Sequence, residues 1–142
     1  MLAVPTTMIR AKVLPTVLNQ ILSDGITAAF LMTSDGALLG TVGSMNIEVS
    51  SLPVVDNKVV GAIVANVWGE YAESAKEIFA DETLQVLFLH FDQNKSLAIA
   101  SAGTGYLVCA YSDGTAPMGL VKARLQALQP FLKGALQQIQ LN

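Results

Sequence analysis

Three observations predict an α/β domain of the α+β kind, a five-stranded antiparallel sheet with helices on both faces. First, Lys58 to Ala75 sorts into an apolar and a small-residue face when placed at about 100° per residue. Second, Leu84 to Phe91 is apolar at both odd and even positions, as in a strand covered on both sides. Third, segments of helical and strand periodicity follow one another in the order α-β-β-α-β-β-β-α.

Residues 1–7 hold Pro5 and two threonines and read as a flexible tail; residues 8–142 read as a single domain. Within Arg10 to Ser23, Leu14, Leu18, Ile21 and Leu22 make one helical stripe, with Pro15 in the first turn, where its missing N–H costs little. Asp24-Gly25 should end this helix, with Gly25 as a left-handed cap. Ile26 to Thr33 reads as a strand, Ser34-Asp35-Gly36 as a tight turn and Ala37 to Val42 as the return strand. Gly43 to Asn57 reads as a long loop, with a short strand around Ile47 to Val49.

The helix beginning at Lys58 should run to about Lys76. Val59, Val60, Ile63, Val64, Val67, Trp68 and Tyr71 form its apolar arc, expected to cover the sheet. Ala62, Ala65, Asn66, Gly69 and Glu73 fall opposite, where a surface helix usually carries long charged residues. A small-residue face admits another backbone closely, so these five are candidate partner contacts. An alanine-rich solvated face is the alternative, since Ala is the best helix former. Gly61 and Gly69 weigh against it, each costing about 1 kcal/mol relative to Ala in a helix interior.

In the next strand Leu84, Val86 and Phe88 point one way and Leu87, Leu89 and Phe91 the other. Leu84, Gln85, Val86, Leu87, Phe88 and Leu89 are expected to form an edge that pairs with a partner, because a long apolar edge aggregates unless covered. Asp92 to Lys95 turns the chain, Ser96 to Ser101 returns, Gly103-Thr104-Gly105 turns again and Tyr106 to Tyr111 is the last strand. A closing helix runs from about Pro117 to Ile139, with Val121, Leu125, Leu128, Leu132, Leu136 and Ile139 on its stripe. Pro130 inside it predicts a kink or break.

The 142 residues are 52% hydrophobic and only 13% charged, about half the usual charged share. A membrane span does not account for this. The longest charge-free run, Ser96 to Ser112, is broken by Ser101, Gly103, Thr104 and Gly105, and a span needs about 20 mainly apolar residues. Surface covered by partner proteins is the better explanation. The net charge of −3 and the lack of a basic run give no footprint for nucleic acid. The N-terminus has no signal-peptide pattern, and one cysteine fits a reducing compartment.

Catalytic parts are scarce. His90 and Cys109 are the sole histidine and cysteine, so neither a multi-histidine nor a multi-cysteine metal cluster can form. His90 reads as a partly buried structural residue and Cys109 as core. Gly103-Thr104-Gly105 lacks the Gly-Lys-Ser/Thr ending of a phosphate loop. Glu77, Asp81 and Glu82 lack EF-hand spacing and read as a solvated helix end. No catalytic residue, cofactor or metal is expected, and the chain is read as a non-enzyme.

Several runs resemble the roadblock family of dynein-light-chain-like and GTPase-associated subunits, and within it the Ragulator (LAMTOR) subunits. They are Ala62-Ile63 with Asn66-Val67-Trp68 and Tyr71; Leu107, Cys109 and Tyr111; and Gly119 to Arg124 with Gln126-Ala127-Leu128. Met8-Ile9-Arg10 and the Leu38-Leu39 hairpin extend the similarity over about Met8 to Leu136. The tail, the longer 43–57 loop, Pro15 and Pro130 depart from the family pattern. The resemblance implies a roadblock-like three-layer sandwich and a scaffold that heterodimerises with a second roadblock-type subunit. It further implies a lipidated wrapping subunit, Rag-type GTPases and a peripheral place on the cytoplasmic side of the late endosome, lysosome or vacuole. Nutrient (TOR) and MAP kinase signalling would be the setting. A small-molecule-sensing PAS-like domain is the competing reading, and it needs a polar-lined cavity.

Overall fold

The computed structural model describes residues 15–43, 57–80 and 82–140. The expected tail, the first turn of the first helix and the 44–56 stretch lie outside them. Helix α1 is described over residues 15–19. Then follow β1 (Ile26–Thr33), β2 (Leu38–Gly43), α2 (Asn57–Ile78), β3 (Val86–His90), β4 (Ser96–Ser101), β5 (Tyr106–Ser112) and α3 (Met118–Gln140). The five strands make one antiparallel sheet in the order β2-β1-β5-β4-β3.

Strand alternation divides the core into two layers. Ala29, Leu31, Ala98, Ala100, Val108 and Ala110 face α1 and α3, where Leu18, Val121, Leu125, Leu128, Leu132 and Leu136 meet them. Phe30, Met32, Leu97, Ile99, Leu107, Cys109 and Tyr111 face α2, which answers with Val64 and Ala65. The volumes complement one another. The alanine-rich sheet face takes leucine-rich helices, and the face with bulky side chains takes the small Val64 and Ala65. Ser96 and Ser112, buried polar residues, stand opposite each other on β4 and β5.

The connections follow local chemistry. Gly36, at φ 107°, closes the β1–β2 turn, where the Thr33 hydroxyl donates to Asp35 and the Ala37 N–H donates to the Thr33 Oγ1 at 2.9 Å. Gly103-Thr104-Gly105 joins β4 to β5 as a hairpin turn, with the Ala102 N–H donating to the Tyr106 carbonyl at 3.0 Å.

Three expectations need correction. Regular helix in α1 stops at residue 19 rather than Ser23. Three shorter bonds then tighten the chain, from the N–H groups of Gln20, Ile21 and Leu22 to the carbonyls of Val17, Leu18 and Asn19. Gly25 has its positive φ, but in a turn into β1 rather than as a helix cap. Asp24 and Gly25 are both left-handed (φ 53° and 98°), and the Ile26 N–H closes on the Ser23 carbonyl at 3.0 Å. Finally, of the kink or break expected at Pro130, the break is overturned: α3 is one helix from Met118 to Gln140 with Pro130 inside it. That ring lies on the exposed side, and buried Leu128 and Leu132 hold the helix on the sheet to either side of it.

Candidate functional site

The strand β3 is an edge. It pairs with β4 from Val86↔Ala100 to His90↔Ser96, and no described strand lies beyond it. Val86 and Phe88 pack into the layer under α1 and α3, Leu87 and Leu89 into the layer under α2. All four stay only half-buried, with no described strand on the edge side. The strand is shorter than expected. Leu84 and Gln85 precede the ladder, since β4 has already ended at Ser101 and the Ala102 N–H turns to Tyr106.

The packing of α2 differs from the wheel reading. Its sheet-facing arc is Val60, Gly61, Val64, Ala65 and Trp68. Ala65, expected to face outward, is 9% exposed, whereas Val59 (51%), Ile63 (56%) and Tyr71 (56%), expected on the sheet, are exposed. The physical reason is a backbone contact: a Cβ on Gly61 would lie 2.9 Å from the Gly36 carbonyl oxygen. Only glycine lets α2 settle onto the β1–β2 turn, and that seat rotates Ala65 inward and Ile63 outward. Ala62, Asn66, Gly69 and Glu73 are exposed, and a Cβ on Gly69 would meet nothing within 4 Å.

At its C-terminal end α2 carries Tyr71, Ala75 and Ile78, which with Phe79 just beyond it line a shallow groove that reaches Leu84. Ile78 and Phe79 are exposed. Among the described residues nothing covers the β3 edge or the exposed apolar side chains of α2; β2 is the other edge of the sheet.

Two contacts escaped sequence reasoning. Arg124 of α3 donates to the Ile21 carbonyl (3.3 Å), the Ser23 carbonyl (3.1 Å) and the Ser23 hydroxyl (2.6 Å), and pairs with Asp24. It thereby clamps the turn between α1 and β1. Gln129 Nε2 donates to the Ser101 carbonyl at 2.7 Å, pinning α3 to the end of β4. Both residues sit in or beside the Lys-Ala-Arg-x-Gln-Ala-Leu run, but their partners are far away in the chain.

No catalytic constellation is gathered among the described residues. Cys109 is fully buried, and burial pushes its thiol up. Burial, and then the nearby Asp113 charge, raise Tyr111. Asp113 is held low by hydrogen bonds from the Thr115 hydroxyl and N–H. His90 is exposed rather than partly buried; it ends the edge strand with its ring stacked on Phe88, centroids 6.1 Å apart. Among the described residues no group of three or more His, Cys, Asp or Glu could hold a metal, and no helix is long and apolar enough to cross a membrane. The cleft between β1, β2 and α2 is lined mainly by Ala28, Phe30, Leu38, Val42 and Val60, with Thr41 as its polar side chain. Such a lining disfavours the sensor reading.

Comparison with solved structures matches this arrangement to the gliding protein MglB of Thermus thermophilus. The TM-score is 0.74 at 19% identity, over 97% of this chain and 96% of that one. The Roadblock/LC7 domain of Streptomyces avermitilis superposes with a TM-score of 0.73 at 12% identity, over 87% and 97%. The fold is the roadblock fold. In sequence the chain resembles the Ragulator complex protein LAMTOR2 homolog of Caenorhabditis elegans, 29% identical over 126 residues, which are 89% of this chain and 91% of that protein. No protein-family model matches the chain.

Proposed function

We propose that this chain is a non-enzymatic scaffold subunit of a Ragulator-like complex. It pairs with a second roadblock-type subunit through the β3 edge and the outer side of α2, and the pair receives Rag-type GTPases. The observation that carries this reading is an edge strand with no described neighbour together with exposed apolar side chains on α2, of which Tyr71 and Ile78 share a groove with Leu84 just before β3. Bare apolar surface beside a bare edge is an aggregation hazard unless a partner covers it. The likeness to the LAMTOR2 homolog over nine-tenths of both chains supports the Ragulator setting.

In that setting a lipidated subunit wraps the pair and holds it on the cytoplasmic side of the late endosome, lysosome or vacuole. The chain itself then touches the membrane only through partners and serves TOR and MAP kinase signalling by assembly rather than chemistry. The test is affinity purification of the tagged chain at near-endogenous level. The expected result is co-purification of a second roadblock subunit, a lipidated subunit and a GTPase pair. Recovery of the chain alone would overturn the reading. So would saturable micromolar binding of GTP, GDP or ATP to the purified chain.

A further inference from the structure

A cleft of about 310 Å³ opens where the β3–β4 turn meets the loop from β5 into α3. His90 at the end of β3, Asn94 in the turn and Ser96 at the start of β4 line one side. Gly114 to Pro117 and Met118, the first residue of α3, line the other. The two loops meet through backbone: a Cβ on Gly114, at φ 104°, would clash with the Gln93 carbonyl oxygen. The Gly114 N–H donates to the Ser112 Oγ at 3.3 Å, which ties the loop to β5.

Two features of the cleft point to a ligand. Ser96 is only 4% exposed, yet its hydroxyl has no hydrogen-bond partner among the described residues. Buried hydroxyls are ordinarily paired. Its Oγ is not sealed off from solvent, and the residue lines the cleft. The second feature is the start of α3. Pro117 has no N–H, and the Leu120 and Val121 N–H groups donate to the Pro117 carbonyl at 3.0 and 3.2 Å. Those of Met118 and Gly119 donate to nothing among the described residues. A helix start with spare donors carries a partial positive charge. No carboxylate side chain is among the lining residues. Asp113, beside them in sequence, accepts from the Thr115 N–H and hydroxyl (2.9 and 2.6 Å) and is further lowered by Lys95.

We propose that this cleft is a binding site for a phosphate group. The Met118 and Gly119 N–H groups, the Ser96 hydroxyl, the Asn94 amide and a His90 ring N–H are its donors. They arrive from α3, β4, the turn and β3, and so from several directions. A phosphate presents three or more acceptor oxygens to such a set, whereas a carboxylate presents two in one plane. The phosphate is either the free ion or an ester on another molecule. The proposal does not depend on pairing at β3.

NMR titration of the isotope-labelled full chain with inorganic phosphate tests this, at ionic strength held constant with sodium chloride. The Met118 and Gly119 amide signals should shift saturably, with a Kd on the order of 1–10 mM for an open site of a few hydrogen bonds. Acetate should bind at least tenfold more weakly. Ser96→Ala and His90→Phe should each weaken phosphate binding about tenfold, as for one lost hydrogen bond to a charged group. Lys133→Gln, farther along α3, should leave it unchanged. His90 is exposed, so His90→Phe decides the matter if Ser96→Ala does not fold. A phosphoserine titration distinguishes the sources. Binding at least as tight as that of phosphate identifies a phosphorylated side chain as the ligand, and weaker binding identifies the free ion. Four results overturn the proposal: no saturation, acetate binding as tightly as phosphate, parental affinity in the cleft variants, or an equal loss with Lys133→Gln.

Discussion

Gly61 and Gly36 meet backbone to backbone: a Cβ on Gly61 would approach the Gly36 carbonyl oxygen to 2.9 Å, while Gly36 itself holds φ 107° in the β1–β2 turn. The contact seats α2 on the sheet. Gly69, two turns along the same helix, has open space around it. Gly61→Ala should therefore lower stability by about 1 kcal/mol, because a strain of about 1–3 kcal/mol exceeds the helix gain of about 1. Gly69→Ala should raise stability by up to about 1 kcal/mol. Urea midpoints of the two variants check this; equal shifts would mean that α2 is not seated on the turn.

Ala65 and Gly69 should behave differently under enlargement. Ala65 is buried among Phe30, Ile99 and Leu107, so Ala65→Arg should prevent folding or cost about 3 kcal/mol or more. Gly69→Trp projects into solvent and should leave the circular dichroism spectrum and thermal midpoint nearly unchanged. On the proposed reading it should still weaken recovery of partner chains in a pull-down. A folded Ala65→Arg protein of parental stability would show that α2 is turned differently.

Arg124 makes a long-range clamp whose parts can be separated. Arg124→Ala should cost about 1–3 kcal/mol, chiefly from lost hydrogen bonds to the Ile21 and Ser23 carbonyls. The ion pair to Asp24 is two-thirds exposed on the carboxylate side and should contribute under about 1 kcal/mol. A double-mutant cycle with Asp24→Asn measures that share, and a coupling above 2 kcal/mol would reverse the ranking.

The Cys109 thiol titrates above its ordinary value because burial penalises the thiolate. In the unfolded chain it ionises near about 8.5. Above that pH the unfolded state releases a proton that the native state keeps, so stability is whole below about pH 8.5 and falls by about 1.4 kcal/mol per unit above it. Cys109→Ala should flatten the slope between about pH 8.5 and 10, and the native thiol should resist disulfide reagents until the protein unfolds. An identical alkaline slope in both proteins would contradict the burial argument.

Much of the fold was legible because its signals are local. The strands Ile26–Thr33 and Ser96–Ser101 have the bounds that the sequence predicts, since short continuous apolar runs end at turn residues such as Gly25, Ser34 and Gly103. The packing of Val86 to Leu89 into both layers follows from the same pattern, apolar at odd and even positions alike. The face of α2 was misread because a wheel ranks residues by hydrophobicity, while the packing was decided by how closely Gly61 lets two backbones approach. The Arg124 clamp was not legible at all, since its partner Asp24 lies 100 residues earlier.

The seat at Gly61 also separates two jobs that a single helix usually mixes. Val60, Val64, Ala65 and Trp68 belong to the core, while Val59, Ile63, Glu70, Glu73 and Glu77 touch little of it. Substitutions at sites with no shared neighbours add independently. Duplicated copies of such a gene could thus diverge in whom they bind while drawing on the same folding stability. An engineer could likewise rewrite the outer letters of α2 to build orthogonal pairs without touching the interior.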